Sequence, residues 1–140
     1  MGFPADLPEA VVSARLDAQI SSLTAGTNLF MGSERPPDPA SGMPHLAVFV
    51  RQYGGPNSAD MGLASSDRTF RIQVLTRGDV DGRVAALALA NSCQQAVTRV
   101  QPSEPGYIFM TSNDAGPFDL GVDDTEHPRF TFNIQLMYSG

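Results

Sequence analysis

Lysine is absent from this chain of 140 residues, and all nine of its cationic side chains are arginines. The absence excludes the phosphate-binding lysine of a P-loop, a Schiff-base lysine and the Ser-x-x-Lys motif of some hydrolases. Cys93 is the only cysteine, which excludes a disulfide within the chain and a metal cluster held by several thiolates. Several classes of enzyme are therefore removed before any motif is considered.

Long apolar runs and an excess of positive charge are also missing. No segment approaches the roughly 18 apolar residues of a membrane span, and the acidic N-terminus does not resemble a signal peptide. The formal net charge is −6, whereas a nucleic-acid-binding surface needs cations that neutralise phosphates. We therefore expect a protein that is made in the cytoplasm, does not enter a membrane and does not bind nucleic acid specifically.

The spacing of apolar residues predicts two helices. The first begins with Asp6 as its N-cap and continues to Gly26, with apolar residues at three- and four-residue steps. The second covers residues 79–100, with Asp79 as its N-cap and an alanine-rich middle that allows close packing against a sheet. A helix of this length would span about 33 Å, and a strand over residues 130–139 would span the same distance.

Apolar segments of strand length complete the prediction. They cover residues 28–32, 45–53, 68–77, an interrupted strand within 107–122, and 130–139. The order α-β-β-β-α-β-β predicts one α+β domain over residues 1–140, with two helices packed on one face of a mostly antiparallel sheet of about five strands. Long loops are expected near 33–44 and 54–67, and loops of this length are often functional.

The closing strand has one apolar face and one polar face, and the polar face carries no charge. Thr131, Asn133 and Gln135 lie on that polar face. Because the centres of subunit interfaces are depleted in charged residues, we expect these side chains to lie against a neighbouring subunit or under a loop. Further candidates for contacts with a subunit or partner lie in and beside the second long loop: Gly54, Gly55, Pro56, Asn57 and Met61.

The strongest candidate for chemistry is an acidic segment near the C-terminus. It contains Asp114, Asp119, Asp123, Asp124, Glu126 and His127. The spacing fits no EF-hand loop, and the chain contains no G-x-S-x-G motif for a nucleophilic serine. A solvated acidic hairpin explains the segment better than a metal site, a small hydrolase or a ligand-binding domain. We therefore predict no catalytic residue, no metal ligand and no cofactor.

Several short motifs together resemble a family of small proteins of long-tailed phages, the tail terminator or minor capsid proteins of the head–tail neck. The motifs run in the same order from about Ala25 to the end of the chain. They are NLFMG at 28–32 with Pro36-Pro37, Gly54-Gly55-Pro56, FRIQVLTRG at 70–78, FDLGVD at 118–123 and RFTFN at 129–133. The order and spacing carry the resemblance, because each piece is a short strand or turn.

The resemblance implies a structural protein of the virion, with a small α+β fold and no catalytic residues. It implies a ring, with six subunits expected, that ends the tail tube and offers a surface for head docking. The implied partners are other copies of the chain, the major tail tube protein and a head-completion or adaptor protein, with DNA passing through the lumen without specific binding. A head-closure protein of the same neck is the alternative. Assembly would take place in the host cytoplasm.

Overall fold

The computed structural model describes residues 7–32, 46–54, 67–112, 115–123 and 126–139. It contains two helices and a six-stranded, mostly antiparallel open sheet, which confirms the predicted α+β class. The elements in chain order are α1 Pro8–Gln19, β1 Leu29–Met31, β2 Ala47–Gly54, β3 Asp67–Arg77, α2 Arg83–Ala96, β4 Tyr107–Thr111, β5 Phe118–Val122 and β6 Pro128–Ser139. The predicted interrupted strand is therefore two strands, β4 and β5.

The closing strand β6 lies inside the sheet, which has the order β1-β2-β3-β6, and β4 and β5 share the other side of β6. Only β1 and β2 are parallel among these pairs. β6 pairs with β3 along nearly its whole length, from the pair Asp67–Ser139 to the pair Arg77–Arg129. Its other side pairs with β4 near the C-terminal end and with β5 near the N-terminal end.

The alternation in β6 separates two faces of the sheet. Phe132, Ile134 and Leu136 are buried on the face that we call the inner face. Both helices pack there, as predicted, and α1 contributes Leu16 while α2 contributes Cys93 to the same apolar core. Full burial of a large apolar side chain stabilises the fold by about 1.5–3 kcal/mol. The opposite side of the sheet is called the outer face.

The predicted start and end of the first helix are wrong. α1 begins at Pro8 with Leu7 as its N-cap, and no side chain caps it. Asp6 lies outside the described residues. The helix ends at Gln19, although Leu23 in the following turn is still buried in the core. The apolar spacing therefore continued beyond the helix because a turn residue also faces the core.

The second helix is shorter than predicted. α2 begins at Arg83 after Gly82, so Asp79 is not its N-cap. Asp79 belongs to a preceding turn, in which its backbone carbonyl accepts a hydrogen bond from the Gly82 amide at 2.8 Å. The 14 residues of α2 span about 21 Å, roughly half the length of β6. The predicted match in length is therefore wrong, and the helices share the sheet: α2 packs on β3 and β6, and α1 packs mainly over β1 and β2.

Neither helix in the described ranges combines the length and the apolar character that a membrane span requires.

Candidate functional site

The polar residues of β6 lie together in the middle of the outer face. Directly opposite residues in an antiparallel pair share a face of the sheet. The neighbours of Thr131, Asn133 and Gln135 on β3 are, in order, Leu75, Gln73 and Arg71. The three polar residues therefore belong to a surface that β3 builds jointly with β6.

The three polar residues of β6 differ in accessibility. Thr131 is only 6% exposed, and its hydroxyl donates a hydrogen bond to the Val74 carbonyl at 3.0 Å. On its other side it is paired with Phe118 of β5. Asn133 and Gln135 are half-buried. The chain's own fold thus covers Thr131, while the other two side chains remain within reach of a partner.

The predicted loop candidates begin at the end of β2. Gly54 lies opposite Arg71, and a Cβ atom at this glycine would lie 3.4 Å from the Arg71 side chain. The next candidates, Gly55, Pro56, Asn57 and Met61, lie outside the described residues. A contact between this loop and a partner therefore stays a prediction.

A hollow of about 200 Å³ lies next to these polar residues on the outer face. We call it the arginine hollow, and it is lined by Gly32, Phe49, Arg51, Gln73, Leu75, Leu120 and Arg129. Phe49 and Leu75 are cross-strand neighbours and form an apolar wall. At its rim the Arg51 guanidinium donates a hydrogen bond to the Gln73 side-chain carbonyl at 2.9 Å. The hollow therefore combines an apolar wall with cationic side chains.

Arginines from three strands gather on the outer face. Arg51 of β2 is opposite Gln73, Arg71 of β3 is opposite Gln135, and Arg77 of β3 is opposite Arg129 of β6. This is a positive surface on a chain whose formal net charge is −6. Arg77 is buried and paired with the Asp123 carboxylate, so the accessible positive charge comes from the other arginines. The uncharged residues of β6 are therefore bordered by Arg51 and Arg71 of the neighbouring strands and by Arg129 of β6 itself. The sequence signal for it was the alternation in β3, which places Arg71 on the same face as Leu75.

The acidic segment forms part of the β5–β6 hairpin. The Asp123 carboxylate accepts a hydrogen bond from the Arg77 guanidinium at 2.7 Å, and these side chains are only 16% and 9% exposed. Its other oxygen accepts a hydrogen bond from the His127 backbone amide at 2.9 Å. Asp123 thus holds the turn before β6 to the end of β3.

A second acidic residue joins the hairpin to α2. The Asp119 carboxylate accepts a hydrogen bond from Arg83 at 2.6 Å and another from the Gly121 amide at 2.7 Å. The Arg83 hydrogen bond, followed by the Gly121 hydrogen bond, lowers the pKa of Asp119 below its usual value. Asp114 and Asp124 lie outside the described residues, and among the described ones no group of His, Cys, Asp and Glu has the arrangement of a metal site.

Cys93 is part of the core, as its position on the predicted helix indicated. Burial raises the pKa of its thiol to about 12. Because the thiolate is the nucleophilic form of cysteine, this buried thiol is unreactive at neutral pH.

Over residues 17–139 the chain matches a family model described as "Bacteriophage tail terminator protein". The matched range includes α2 and all of the strands from β1 to β6. No curated protein matches the chain. The family match confirms the resemblance carried by the short motifs, and it indicates a structural component of a phage tail.

Proposed function

Because the chain belongs to the bacteriophage tail terminator family, we propose that it forms a ring on the last ring of a phage tail tube. The ring stops further polymerisation of the tube and then offers the surface on which the filled head docks. The observation that carries this proposal is the family match, which extends over residues 17–139. Neither helix packs on the outer face of the sheet in the part of the chain that the structure describes, and the polar and cationic side chains of this face supply a surface for such an assembly.

The proposed ring contains six copies and assembles in the host cytoplasm before it becomes part of the virion. Its neighbours along the particle axis are the major tail tube protein on one side and a head-completion or adaptor protein on the other. DNA crosses the ring through its lumen. A net charge of −6 per chain repels phosphate groups and so favours passage over binding.

The test uses the purified protein together with polymerising tail tube protein from the same phage. The expected result is arrest of tube growth, with a ring visible at one tube end by electron microscopy. Native mass measurement is expected to show a species of six times 14.9 kDa, alone or on tubes. A protein that stays monomeric and associates with neither tubes nor heads would overturn the proposal. Density at the portal instead of the tube end would identify a head-closure protein.

The polar residues of β6 give a prediction within this proposal. The double substitution Asn133→Lys and Gln135→Lys is expected to raise the protein concentration needed for half-assembly of the ring by about tenfold. The reason is that it places two charges inside a contact with a neighbouring subunit. The monomer is expected to stay folded. Some loss of stability is expected because the lysine at Gln135 faces Arg71 across the strands. Sedimentation velocity measures assembly, and circular dichroism during heating measures the fold.

The matched control is the double substitution Gln19→Lys and Gln95→Lys, at exposed positions on the two helices. This variant carries the same added charge away from the outer face, and it is expected to assemble like the unmodified protein. Equal assembly of both double variants would mean that the polar face of β6 is not part of a subunit contact.

A further inference from the structure

A second exposed surface lies on the helical layer, at the turn that leads into α2. We call residues 79–84 the valine turn; its sequence is Asp79-Val80-Asp81-Gly82-Arg83-Val84. Val84 is 81% exposed and Val80 is 46% exposed. The buried residues of α2 face the sheet, so Val84 lies on the solvent side of the helix. The valine turn and the arginine hollow are therefore on opposite layers of the molecule.

The valine turn combines apolar and acidic side chains. Single exposed apolar residues are ordinary on protein surfaces, but Val80 lies between the carboxylates of Asp79 and Asp81. Both aspartates are exposed, and the Asp79 carboxylate accepts a hydrogen bond from the Val80 amide at 2.9 Å. The Arg83 guanidinium of the same turn donates a hydrogen bond to the Asp119 carboxylate at 2.6 Å, so its charge is matched within the chain. The turn thus offers the anionic Asp81 next to apolar surface, which is the reverse in charge of the arginine hollow.

We propose that the valine turn of one copy docks into the arginine hollow of the next copy. In this contact Asp81 faces Arg51, and Val84 packs against Leu120 at the rim. Val80 covers Leu75, which is the half-buried part of the apolar wall, because Phe49 is almost fully buried. The inference rests on the proposed ring and names the two surfaces that join its subunits.

The charges of the two surfaces determine which kind of contact is possible. An arginine hollow placed against a second arginine hollow would bring like charges together, which is unfavourable in an interface. A symmetric contact through this surface is therefore disfavoured, and a contact between two different surfaces is favoured. Such contacts generate rings when the rotation between copies closes. Because the surfaces lie on opposite layers, the contact can repeat from front to back around a ring.

A neighbouring copy also fits the hollow better than DNA does. Arginines that faced the lumen would bind phosphates and release counterions, and this would retain DNA during its passage. A neighbouring copy of this acidic chain covers Arg51 and brings its own carboxylate to it. The accessible apolar surface of Leu75 and Leu120 also matches valines, whereas it offers nothing to a phosphate.

The experiment is a charge exchange between the two surfaces. Arg51→Glu and Asp81→Arg are each expected to raise the concentration for half-assembly by about tenfold. The chain that carries both substitutions is expected to return to within about threefold of the unmodified protein, because the exchanged charges attract each other between copies. The matched controls, Arg99→Glu and Asp17→Arg, make the same changes of charge at other exposed positions. They are expected to leave assembly unchanged.

Chemical cross-linking provides a second measurement. A chain with Val84→Cys and Leu120→Cys, treated with a short bis-maleimide on assembled rings, is expected to give a ladder of covalent multimers. Chains with only one of the two cysteines are expected to give no ladder, since the buried Cys93 thiol does not react.

The outcomes separate this inference from the proposed function. Normal rings with neither rescue by charge exchange nor a ladder would overturn the inference and leave the proposed function intact. If rings of the Arg51→Glu variant assemble normally but retain less DNA than rings of the unmodified protein, the hollow contacts DNA. This result would also overturn the inference. Failure of the unmodified protein to form rings, alone or on tubes, would overturn both.

Discussion

Replacing Asp123 by alanine is expected to destabilise the monomer by about 3–5 kcal/mol, because the substitution leaves the Arg77 charge buried without this carboxylate. The pair is short, at 2.7 Å, and both side chains are mostly buried. The substitution also removes the acceptor for the His127 amide. Urea unfolding followed by circular dichroism measures the loss as a lower midpoint with an unchanged slope.

The same hairpin offers a matched control. Asp119→Ala removes a carboxylate at 2.6 Å from an arginine, but those side chains are 45% and 60% exposed. Exposed pairs are screened by solvent and contribute little to stability, so the expected loss is small. A double variant with Arg77→Met and Asp123→Ala is expected to regain most of the stability, since both charges of the pair are removed together. Equal losses for Asp123→Ala and Asp119→Ala would mean that burial does not strengthen the Arg77–Asp123 pair.

The buried ion pair also connects the fold to the proposed contact. Asp123 holds the turn between β5 and β6, and β5 carries Leu120 to the rim of the arginine hollow. A variant that loosens this turn displaces a residue of the proposed subunit contact. Asp123→Ala is therefore expected to impair ring assembly even at temperatures where the monomer remains folded.

The strands were more predictable from the sequence than the helix ends. Strict alternation from Phe130 to Tyr138 identified β6, and all five residues of its predicted apolar face are buried. The first helix was predicted too long because Ile20 and Leu23 continue its apolar spacing from a turn that packs on the same core. Apolar spacing reports which side chains face the core, and it does not report which backbone conformation places them there.

The arginine hollow was not predictable from one strand at a time. Its members come from β2, β3, β5 and β6 and from Gly32 after β1, and they meet only because β6 lies between β3 and β5. β6 contributes the uncharged residues together with Arg129, whereas Arg51 and Arg71 belong to strands that precede it by tens of residues. Strand order therefore decides the chemistry of the outer face, and periodicity within a strand does not report strand order.

Gly106→Ala is expected to be the second strongly destabilising substitution. Gly106 has a φ angle of +88°, and an added Cβ atom would lie 2.2 Å from the Cε2 atom of Tyr138. The left-handed conformation costs an alanine about 1–2 kcal/mol, and overpacking a filled site adds about 1–3 kcal/mol. Tyr138 is only 7% exposed and packs edge-on against Tyr107 with 5.1 Å between ring centroids, so its ring has little room to move.

Two other glycines separate these costs. Gly26 has a φ angle of +85° but no atom within 4 Å of an added Cβ, so Gly26→Ala reports the backbone cost alone. Gly116 has neither a positive φ angle nor a close neighbour, and Gly116→Ala is expected to be neutral or to stabilise by up to about 1 kcal/mol. The free energy of unfolding of each variant, from urea titration, is the quantity to compare.

The part of the cost that comes from the clash is isolated by shortening Tyr138. In a Tyr138→Val background, Gly106→Ala is expected to cost no more than Gly26→Ala, because the ring that met the new carbon is gone. This coupling is the signature of a direct contact, since a purely conformational cost would persist in the valine background. If Gly106→Ala and Gly26→Ala lower the free energy of unfolding equally in the unmodified background, the Tyr138 ring moves away from the new carbon without a measurable cost. The end of β6 would then not be held against the turn that precedes β4.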